Sequence, residues 1–506
     1  MSRILKPVER LLDALTDPAR RERAALCALI GYCALWSVYG GFAKGSQDVH
    51  FDMGEMVAWS RDAGIGTPKH PPLAAWLVRI WFAVFPQADL AYYLFAMVLA
   101  TFALWVAWRV SENYLDGEKR VAALILLTFI PFFNFHALKY NANTVLIPLW
   151  AVTTWWFLRS FETRSIAWAA LAGLGAAAAM MGKYWSFFLL VGLGVAALAD
   201  PRRARYFGSA APWVTIAVGA IAFAPHVAWI VAHDFAPFGY ALTSHPSTLA
   251  NAAQSAVGFL IGEAGYMAAP VVIALIAARP GLRAVRDTVW PKTPQRRLVL
   301  IAFLAPLVLP VFVSVAAKVD IVSLWSMGGM PLLGVVLLSS PLVVVTRRAA
   351  VWLLAAGIVF PVAMMLASPV IAIVIHREGV PNYATHYRLL AAAIDKSWNE
   401  TTDKPLRYLG SYTNIVNGVS FYLPSHPSTL DIVDPPSTPW SDEASVARAG
   451  IALTCPEPEL VCMHYLEQRA AGVADARRRV VTLSRTHLGV ADEPVRYVIV
   501  ILPPRN

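Results

Sequence analysis

Charged residues are scarce in this chain. Of its 506 residues, 15% are Asp, Glu, Lys or Arg, whereas 58% are hydrophobic. Soluble globular proteins carry about 25% charged and about 45–50% apolar residues, so this composition excludes an ordinary soluble domain. Stretches of about 20 apolar residues recur along most of the sequence, and each could cross a hydrocarbon core of roughly 30 Å. The sequence therefore predicts a polytopic α-helical membrane protein.

Familiar catalytic motifs are missing as well. Nothing in the sequence resembles a glycine-rich phosphate loop, a paired-cysteine zinc site or a nucleophile elbow. The apolar segments also lack the repeated mid-span ionisable residues that a proton- or ion-coupled transporter would usually need. Neither a soluble nucleotide-dependent enzyme nor an ion-coupled carrier is indicated.

Cysteine is rare, with four residues in the chain. Cys27 and Cys33 fall within the first apolar segment. Cys455 and Cys462 lie close together near the C-terminus, where they form either a disulfide in an oxidising compartment such as a periplasm or two reduced thiols. The spacing alone leaves both alternatives open.

Eleven apolar segments are predicted to span the membrane. The first follows a long polar lead and no clear small-residue cleavage site follows it, so we interpret it as an uncleaved span rather than a signal peptide. The predicted spans are residues 24–43, 89–108, 121–134, 143–158, 166–181, 185–199, 208–231, 256–278, 298–316, 326–345 and 351–375.

The basic residues predict the orientation of these spans. With a cytoplasmic N-terminus, the inner segments up to residue 375 hold 22 Lys and Arg residues and the outer segments hold 7. This bias is the one that the positive-inside rule predicts. It also accounts for the net charge of +10 without any nucleic-acid partner. Residues 44–88, after the first span, are therefore expected to face outward.

The character of the sequence changes after residue 375. An amphipathic helix is predicted near residues 384–398, and the runs "VSFYL", "GIALTC" and "RYVIVIL" are typical of short strands separated by turns. We predict a transmembrane domain over residues 1–375 and a small periplasmic α/β domain over residues 376–506.

The outer loop at residues 44–88 holds the densest group of polar residues near the membrane. Asp52 and Glu55 are three residues apart and would share one face of a helical turn, with Trp59 at the next turn. This pattern predicts a short amphipathic helix on the membrane surface, although a solvated loop helix would fit equally well. The loop ends in "KHPPL", where Lys69 and His70 precede two prolines.

Other outer segments add further polar side chains. Lysine offers a point charge to a phosphate, and asparagine offers both donors and acceptors. Together they predict a site at the outer membrane surface that handles an anionic lipid headgroup. The candidate residues of these segments are Lys139, Asn141, Asn143, Lys183, Tyr184 and, in a long flap-like loop, His245.

Three stretches resemble one family. "DMGEMVAWSRDAGIGTPKHPPLAAWL", "GLGAAAAMMGKYW" and "APHVAWIVAHDFAPFGYAL" are similar to the membrane glycosyltransferases of family 39, the protein-mannosyltransferase and aminoarabinose-transferase type. The resemblance covers about the first 375 residues, and the tail looks like the outer domain of bacterial members. It implies a C-type membrane glycosyltransferase fold and the branch that modifies envelope sugars.

The resemblance also implies a chemistry. These enzymes take a sugar from a polyprenyl-phosphate donor and transfer it with inversion to an acceptor hydroxyl, here expected on lipopolysaccharide, lipid A or another envelope glycan at the outer face of the inner membrane. Asp52 matches the catalytic aspartate, whereas Glu55 departs from the usual adjacent acid and is assigned a less definite catalytic role. Lys183 is expected near the donor phosphate. The secondary phosphate candidates are Lys69, His70 and Lys139, and the candidates for substrate contact are Trp59, Asn141, Asn143, Tyr184 and His245.

One departure from the family concerns metal binding. Many relatives have an aspartate at the start of the fourth span, where this chain reads "YNANT" with Asn141 and Asn143. We therefore expect no obligatory cofactor or divalent ion. Protein O-glycosylation, a lipid or sugar flippase and a non-catalytic scaffold remain as alternatives. The clustering of polar groups at one membrane face speaks against the flippase.

Overall fold

The computed structural model describes residues 5–244 and 246–505. Its contacts divide the chain into two compact units. The first, called here the helical unit, comprises Met1–Ser37, Lys69–Leu73 and Tyr93–Met364. The second, called the mixed unit, comprises Val38–Pro68, Ala74–Tyr92 and Met365–Asn506, and so joins most of the outer loop to the C-terminal residues. The domain boundary at residues 375/376 stays a prediction.

Helices account for most of the chain up to residue 378. Short 3₁₀ segments occur at Pro131–Phe133 and Ser323–Leu332. The α-helices are α1 (Lys6–Thr16), α2 (Arg21–Ala43), α3 (Phe51–Asp62), α4 (Leu73–Phe82), α5 (Asp89–Ser111), α6 (Gly117–Thr128), α7 (Leu146–Thr163), α8 (Ile166–Gly182), α9 (Ser186–Ala199), α10 (Arg203–Phe207), α11 (Ala211–Ala232), α12 (Ala236–Ser244), α13 (Leu249–Ala278), α14 (Leu282–Val289), α15 (Pro294–Ala317), α16 (Leu333–Leu338) and α17 (Arg347–Glu378).

Each of the eleven predicted spans overlaps a helical segment, although the span 326–345 extends beyond its last helix, which ends at Leu338. Within the described residues, six helices are long and apolar enough to cross a membrane, namely α2, α5, α11, α13, α15 and α17. The other five predicted spans lie on α6 to α9 and on Ser323–Leu338. Helix α6 is short because the chain turns into a 3₁₀ segment at Pro131, where proline lacks the N–H that would continue the helix. The chain is a multi-pass membrane protein.

Small residues let the membrane helices approach closely. A Cβ atom at Gly173 of α8 would lie 2.5 Å from the carbonyl oxygen of Thr215 in α11. One at Gly175 would lie 2.9 Å from the Thr153 hydroxyl of α7. Because apolar side chains gain little from leaving lipid, such close backbone packing is what holds membrane helices together.

The mixed unit contains the predicted α/β domain. Its helices are α18 (Tyr387–Asn399), α19 (Thr413–Tyr422), α20 (Glu443–Ala449) and α21 (Leu460–Ala470). Its strands are β1 (Tyr408–Ser411), β2 (Ser428–Asp431), β3 (Ile451–Pro456), β4 (Arg477–Leu483), β5 (Thr486–His487), β6 (Val490–Ala491) and β7 (Val495–Leu502). Five strands form a sheet in the order β2-β1-β3-β7-β4, parallel across β2-β1-β3 and antiparallel across β3-β7-β4.

Strand β7 is buried on both faces over most of its length, whereas the edge strand β4 is largely exposed. On β7, Tyr497 and Ile499 pack with α18 and α19, whereas Val498 and Val500 pack with α20 and α21. This alternation follows from the two-residue period of a strand. Helix α18 is the amphipathic helix that the sequence predicts.

The strand predictions are partly confirmed. "GIALTC" forms β3 and "RYVIVIL" forms β7, but "VSFYL" is wrong as a strand because it lies in α19. Ile415, Val416 and Val419 recur at helical spacing and are all buried in the core, so the helix buries them on one face. Cys455 and Cys462 form a disulfide with 5.8 Å between their Cα atoms.

Candidate active site

Helix α3 holds Asp52 near its N-terminus. His50 caps the helix, its Nδ1 atom accepting the backbone N–H of Asp52 at 3.1 Å. The same Nδ1 lies 3.9 Å from a carboxylate oxygen of Asp52, whose side chain is 18% exposed. Asp52 is therefore fixed at its backbone, and its side chain is partly exposed. A carboxylate held in this way can act as a base toward a hydroxyl that reaches it.

The predicted amphipathic character of α3 is wrong. Every residue from Met53 to Trp59 is buried, including Glu55, which is 5% exposed. The helix packs against α19 in the mixed unit, and a Cβ atom at Gly54 would meet the backbone of Asn417 at 2.9 Å. The local sequence pattern predicts a surface helix because it gives no sign of the partner helix, which lies more than 350 residues along the chain. Asp52 is more accessible than Glu55, which favours it as the reacting acid.

Ion pairs bind the outer loop to the C-terminal residues of the same unit. The buried Asp48 carboxylate lies 2.9 Å from Arg485 and 3.5 Å from Arg388. It also accepts the backbone N–H of Arg388 at 2.8 Å. Burial raises the pKa of Asp48, and the two guanidinium groups counteract part of this effect. Sequence analysis missed these three residues, because no motif links positions so far apart.

In the helical unit, Lys183 and Asn143 lie together. Lys183 follows α8, and its ammonium group donates to Asn143 Oδ1 at 2.5 Å and lies 4.8 Å from the centroid of the Trp325 ring. Asn141 positions this partner, since its Oδ1 accepts the backbone N–H groups of Asn143 at 2.8 Å and Thr144 at 3.1 Å. This is a turn stabilised by an asparagine side chain. Asn141 thus has a structural role as well as a predicted substrate contact.

Lys69 and His70 contribute to the same electrostatic environment. Burial lowers the pKa of His70 well below its usual value, and the positive charges of Lys183 and Lys69 lower it further. The Lys69 ammonium group lies 6.0 Å from the centroid of the Tyr240 ring. Two lysines beside a neutral histidine form a positive region that favours an anion.

Tyr184 extends this region through a histidine that sequence analysis did not select. Its hydroxyl lies 2.8 Å from Nε2 of His226. His226 is buried in α11, and its ring stacks on Trp229 with centroids 5.6 Å apart. His226 stands in the quoted stretch "APHVAWIVAHDF", so the motif contained the residue without indicating its partner.

The remaining candidates are distributed as follows. Asp52, Glu55 and Trp59 belong to the mixed unit, and the other described candidates belong to the helical unit. Lys139 follows the turn at Pro131–Phe133, and its backbone N–H donates to the carbonyl of His136 at 3.3 Å. His245 lies outside the described residues. In the described part of the chain, no group of three or more His, Cys, Asp or Glu side chains could hold a metal ion.

Comparison with known proteins identifies relatives. Residues 69–229 match the sequence model of the family described as dolichyl-phosphate-mannose-protein mannosyltransferase. The lipid A galacturonosyltransferase RgtD of Rhizobium johnstonii is 22% identical over 214 residues, which is 42% of this chain and 44% of that protein. The chain thus aligns with less than half the length of this curated relative.

Solved structures are similar over nearly the whole chain. ArnT from Cupriavidus metallidurans bound to undecaprenyl phosphate has a TM-score of 0.58 and 12% identity, with 95% of this chain and 99% of that chain covered. The apo state of the same protein has a TM-score of 0.60, 11% identity and the same coverage. The predicted fold class, a helical C-type glycosyltransferase fold with a small C-terminal α/β domain, is confirmed. The family resemblance seen in the sequence is matched by the family model over residues 69–229.

Proposed function

We propose that this relative of the family 39 membrane glycosyltransferases transfers a sugar from a polyprenyl-phosphate donor to an envelope acceptor, with lipid A as the first candidate. The reaction takes place at the outer face of a bacterial inner membrane, where the charge bias of the loops predicts that the C-terminal domain and the outer loop lie. The contact between Lys183 and Asn143, with Lys69 and His70 nearby, is the observation that carries the proposal.

The positive region of the helical unit suits the departing phosphate. The polyprenyl-phosphate-sugar donor is a phosphodiester, and it leaves as a phosphate monoester that gains negative charge as the bond to the sugar breaks. Lys183 and Lys69 provide ammonium groups for that charge, and fixed cations in a water-poor site stabilise developing charge strongly. The apolar segments around them suit the isoprenoid chain. The ArnT structure with undecaprenyl phosphate supports this class of donor.

Asp52 is proposed as the general base. The acceptor hydroxyl oxygen attacks the anomeric carbon of the donor sugar, and its proton passes to the Asp52 carboxylate. The bond between the anomeric carbon and the phosphate oxygen breaks, with its electron pair remaining on the phosphate. Attack opposite the leaving group inverts the anomeric centre. A positioned base of this kind contributes roughly 10²–10⁴-fold to rate.

Fewer observations bear on the identity of the acceptor than on the donor. RgtD is named as acting on lipid A, which favours an envelope glycolipid. The matched family is named for transfer to protein, so protein O-glycosylation is the competing outcome.

A test separates binding from turnover in purified protein. The wild type, reconstituted with a cell extract containing lipid-linked sugars and with lipid A, should add one sugar mass to lipid A. Asp52→Asn should lower turnover by about 10²-fold or more and retain undecaprenyl phosphate binding. Lys183→Ala should instead weaken that binding about tenfold or more, since it removes a charge-assisted contact.

Matched variants control for general damage. Asp62→Asn changes an acid at the other end of α3, which is paired with Arg61 at 2.9 Å, and should keep turnover. Lys318→Ala removes an exposed lysine after α15 and should keep undecaprenyl phosphate binding. Full turnover in Asp52→Asn, or undiminished binding in Lys183→Ala, would contradict the roles assigned here.

A further inference from the structure

A cavity of about 730 Å³ lies between the end of α13 and the beginning of α17 in the helical unit. Arg279 and Arg348 line it, one from each side. Its walls are otherwise largely apolar and include Ile276, Val344 and Trp352. The cavity is distinct from the proposed donor site. The ring of Trp185, two residues after Lys183, lies 6.5 Å from that of Phe259 in the first half of α13, and the 20 residues of helix from Phe259 to Arg279 span about 30 Å.

The positive charge of this cavity is not neutralised by the protein. In the described part of the chain, neither Arg279 nor Arg348 forms an ion pair, and no carboxylate is among the residues that line the cavity. The adjacent Arg347 differs, since its guanidinium lies 2.5 Å from Asp13. Helix α17 therefore begins with Arg347, which is paired with Asp13, followed by Arg348, which is available to a ligand.

The apolar wall presents large exposed side chains next to these charges. The Trp352 side chain is 55% exposed and lies one helical turn after Arg348. Val344 and Ile276 are also exposed hydrophobic residues. Tryptophan is enriched at the boundary between headgroups and acyl chains. Arginine binds phosphate oxygens through a planar pair of N–H donors. The combination matches a molecule with an anionic head and an apolar tail.

We propose that this cavity binds an anionic phospholipid. The lipid phosphate lies between the guanidinium groups of Arg279 and Arg348, and one acyl chain runs along Ile276 and Trp352. Two uncompensated positive charges favour a headgroup with net negative charge over a zwitterionic one. The site is independent of the proposed transferase activity.

The test uses the purified, delipidated full-length protein in detergent. Native mass spectrometry measures binding of dioleoyl phosphatidylglycerol, dioleoyl phosphatidylcholine and, as a soluble headgroup, glycerol 3-phosphate. We expect phosphatidylglycerol to bind at least tenfold more tightly than either of the others. Arg279→Gln and Arg348→Gln should each weaken its binding tenfold or more, whereas Arg347→Gln should change it less than twofold.

Several results would overturn the proposal. Equal affinity for the two phospholipids would mean that the charges do not select the headgroup. Equal loss in Arg347→Gln and Arg348→Gln would mean that the cavity is not the binding site, and comparable binding of glycerol 3-phosphate would mean that the apolar wall is not used. Gel filtration of each variant checks folding. If both cavity variants were aggregated, Trp352→Ala would be measured instead, and unchanged phosphatidylglycerol binding in it would count against the site.

Discussion

The positive charge at the proposed donor site is concentrated in a few side chains. Lys183 donates to the amide oxygen of Asn143 and lies against the aromatic face of Trp325. His70 shows the effect of that charge, since burial and the neighbouring ammonium groups of Lys183 and Lys69 lower its pKa. The region is therefore better suited to an incoming anion than to a further proton.

The lowered pKa of His70 predicts a pH dependence of stability. Unfolding restores a pKa near 6.5, so below that pH the unfolded chain binds a proton that the folded chain does not. The free energy of unfolding should thus fall as pH decreases below about 6.5, by up to about 1.4 kcal/mol per pH unit. Above pH 7 both states are neutral at this residue and the effect disappears.

Melting temperatures in detergent between pH 7.5 and pH 5.0 measure this contribution. His70→Gln should lose part of the decrease that the wild type shows on acidification, because glutamine does not titrate. Identical curves for both proteins would mean that His70 titrates normally in the folded state.

For individual residues, the sequence predicted which side chains belong to the site but not which side chains they contact. Lys183, Asn143 and His70 could each be selected because polar groups at a membrane boundary are conspicuous. The bond between Lys183 and Asn143 could not, since α7 and α8 separate the two positions and only their packing brings the ends together. Asp48 and Arg485 were not predicted as site residues because they are far apart in the sequence and only the folded chain brings them together.

The packing of α3 on α19 is the central contact between elements. Gly54 allows it, because a Cβ atom there would lie 2.9 Å from the backbone of Asn417 and Gly418. Backbone atoms cannot rotate away as a side chain would. Since Asp52 is two residues before Gly54 on the same helix, this contact also fixes the proposed base.

Gly54→Ala should therefore impair both stability and activity. Overpacking costs about 1–3 kcal/mol, and a displacement of about 1 Å at a reacting group can lower turnover by about 10²-fold. Gly31→Ala is the control, because a Cβ atom there meets nothing within 4 Å. A thermal melt and a transfer assay on both variants check this. A Gly54→Ala protein as stable and active as Gly31→Ala would show that α3 has room to move.

Predictions of elements succeeded where the pattern was local. β7 follows from its run of β-branched residues, β3 from a short apolar run, and α18 from its apolar face. The burial of α3 could not be seen, because its partner α19 is distant in sequence and was itself interpreted as partly a strand.

At the scale of the whole molecule, long apolar helices were the most predictable feature. Hydropathy located α2, α5, α11, α13, α15 and α17 without any tertiary information. The sequence did not predict that the outer loop and the C-terminal residues form one compact unit. Ion pairs such as that between Asp48 and Arg485 connect them, and no local pattern reveals such a pair.

The predicted orientation can be tested by cysteine labelling. In a background with Cys27→Ser and Cys33→Ser, Lys318→Cys should react with a membrane-impermeant maleimide in intact spheroplasts. Arg283→Cys should react only after permeabilisation. Both native residues are exposed, so access depends on the side of the membrane. The reverse labelling pattern would place the proposed site in the cytoplasm.

The most direct test of the central claim compares envelopes from three strains, which carry the wild-type protein, Asp52→Asn or no protein. Mass spectrometry of lipid A, core oligosaccharide and glycoproteins would reveal a missing sugar. We predict the same loss of one sugar mass in the mutant and the deletion, located in lipid A or another envelope glycan. Unchanged masses in every fraction, with both proteins present in the membrane, would contradict the assignment of this chain as a sugar transferase that uses Asp52.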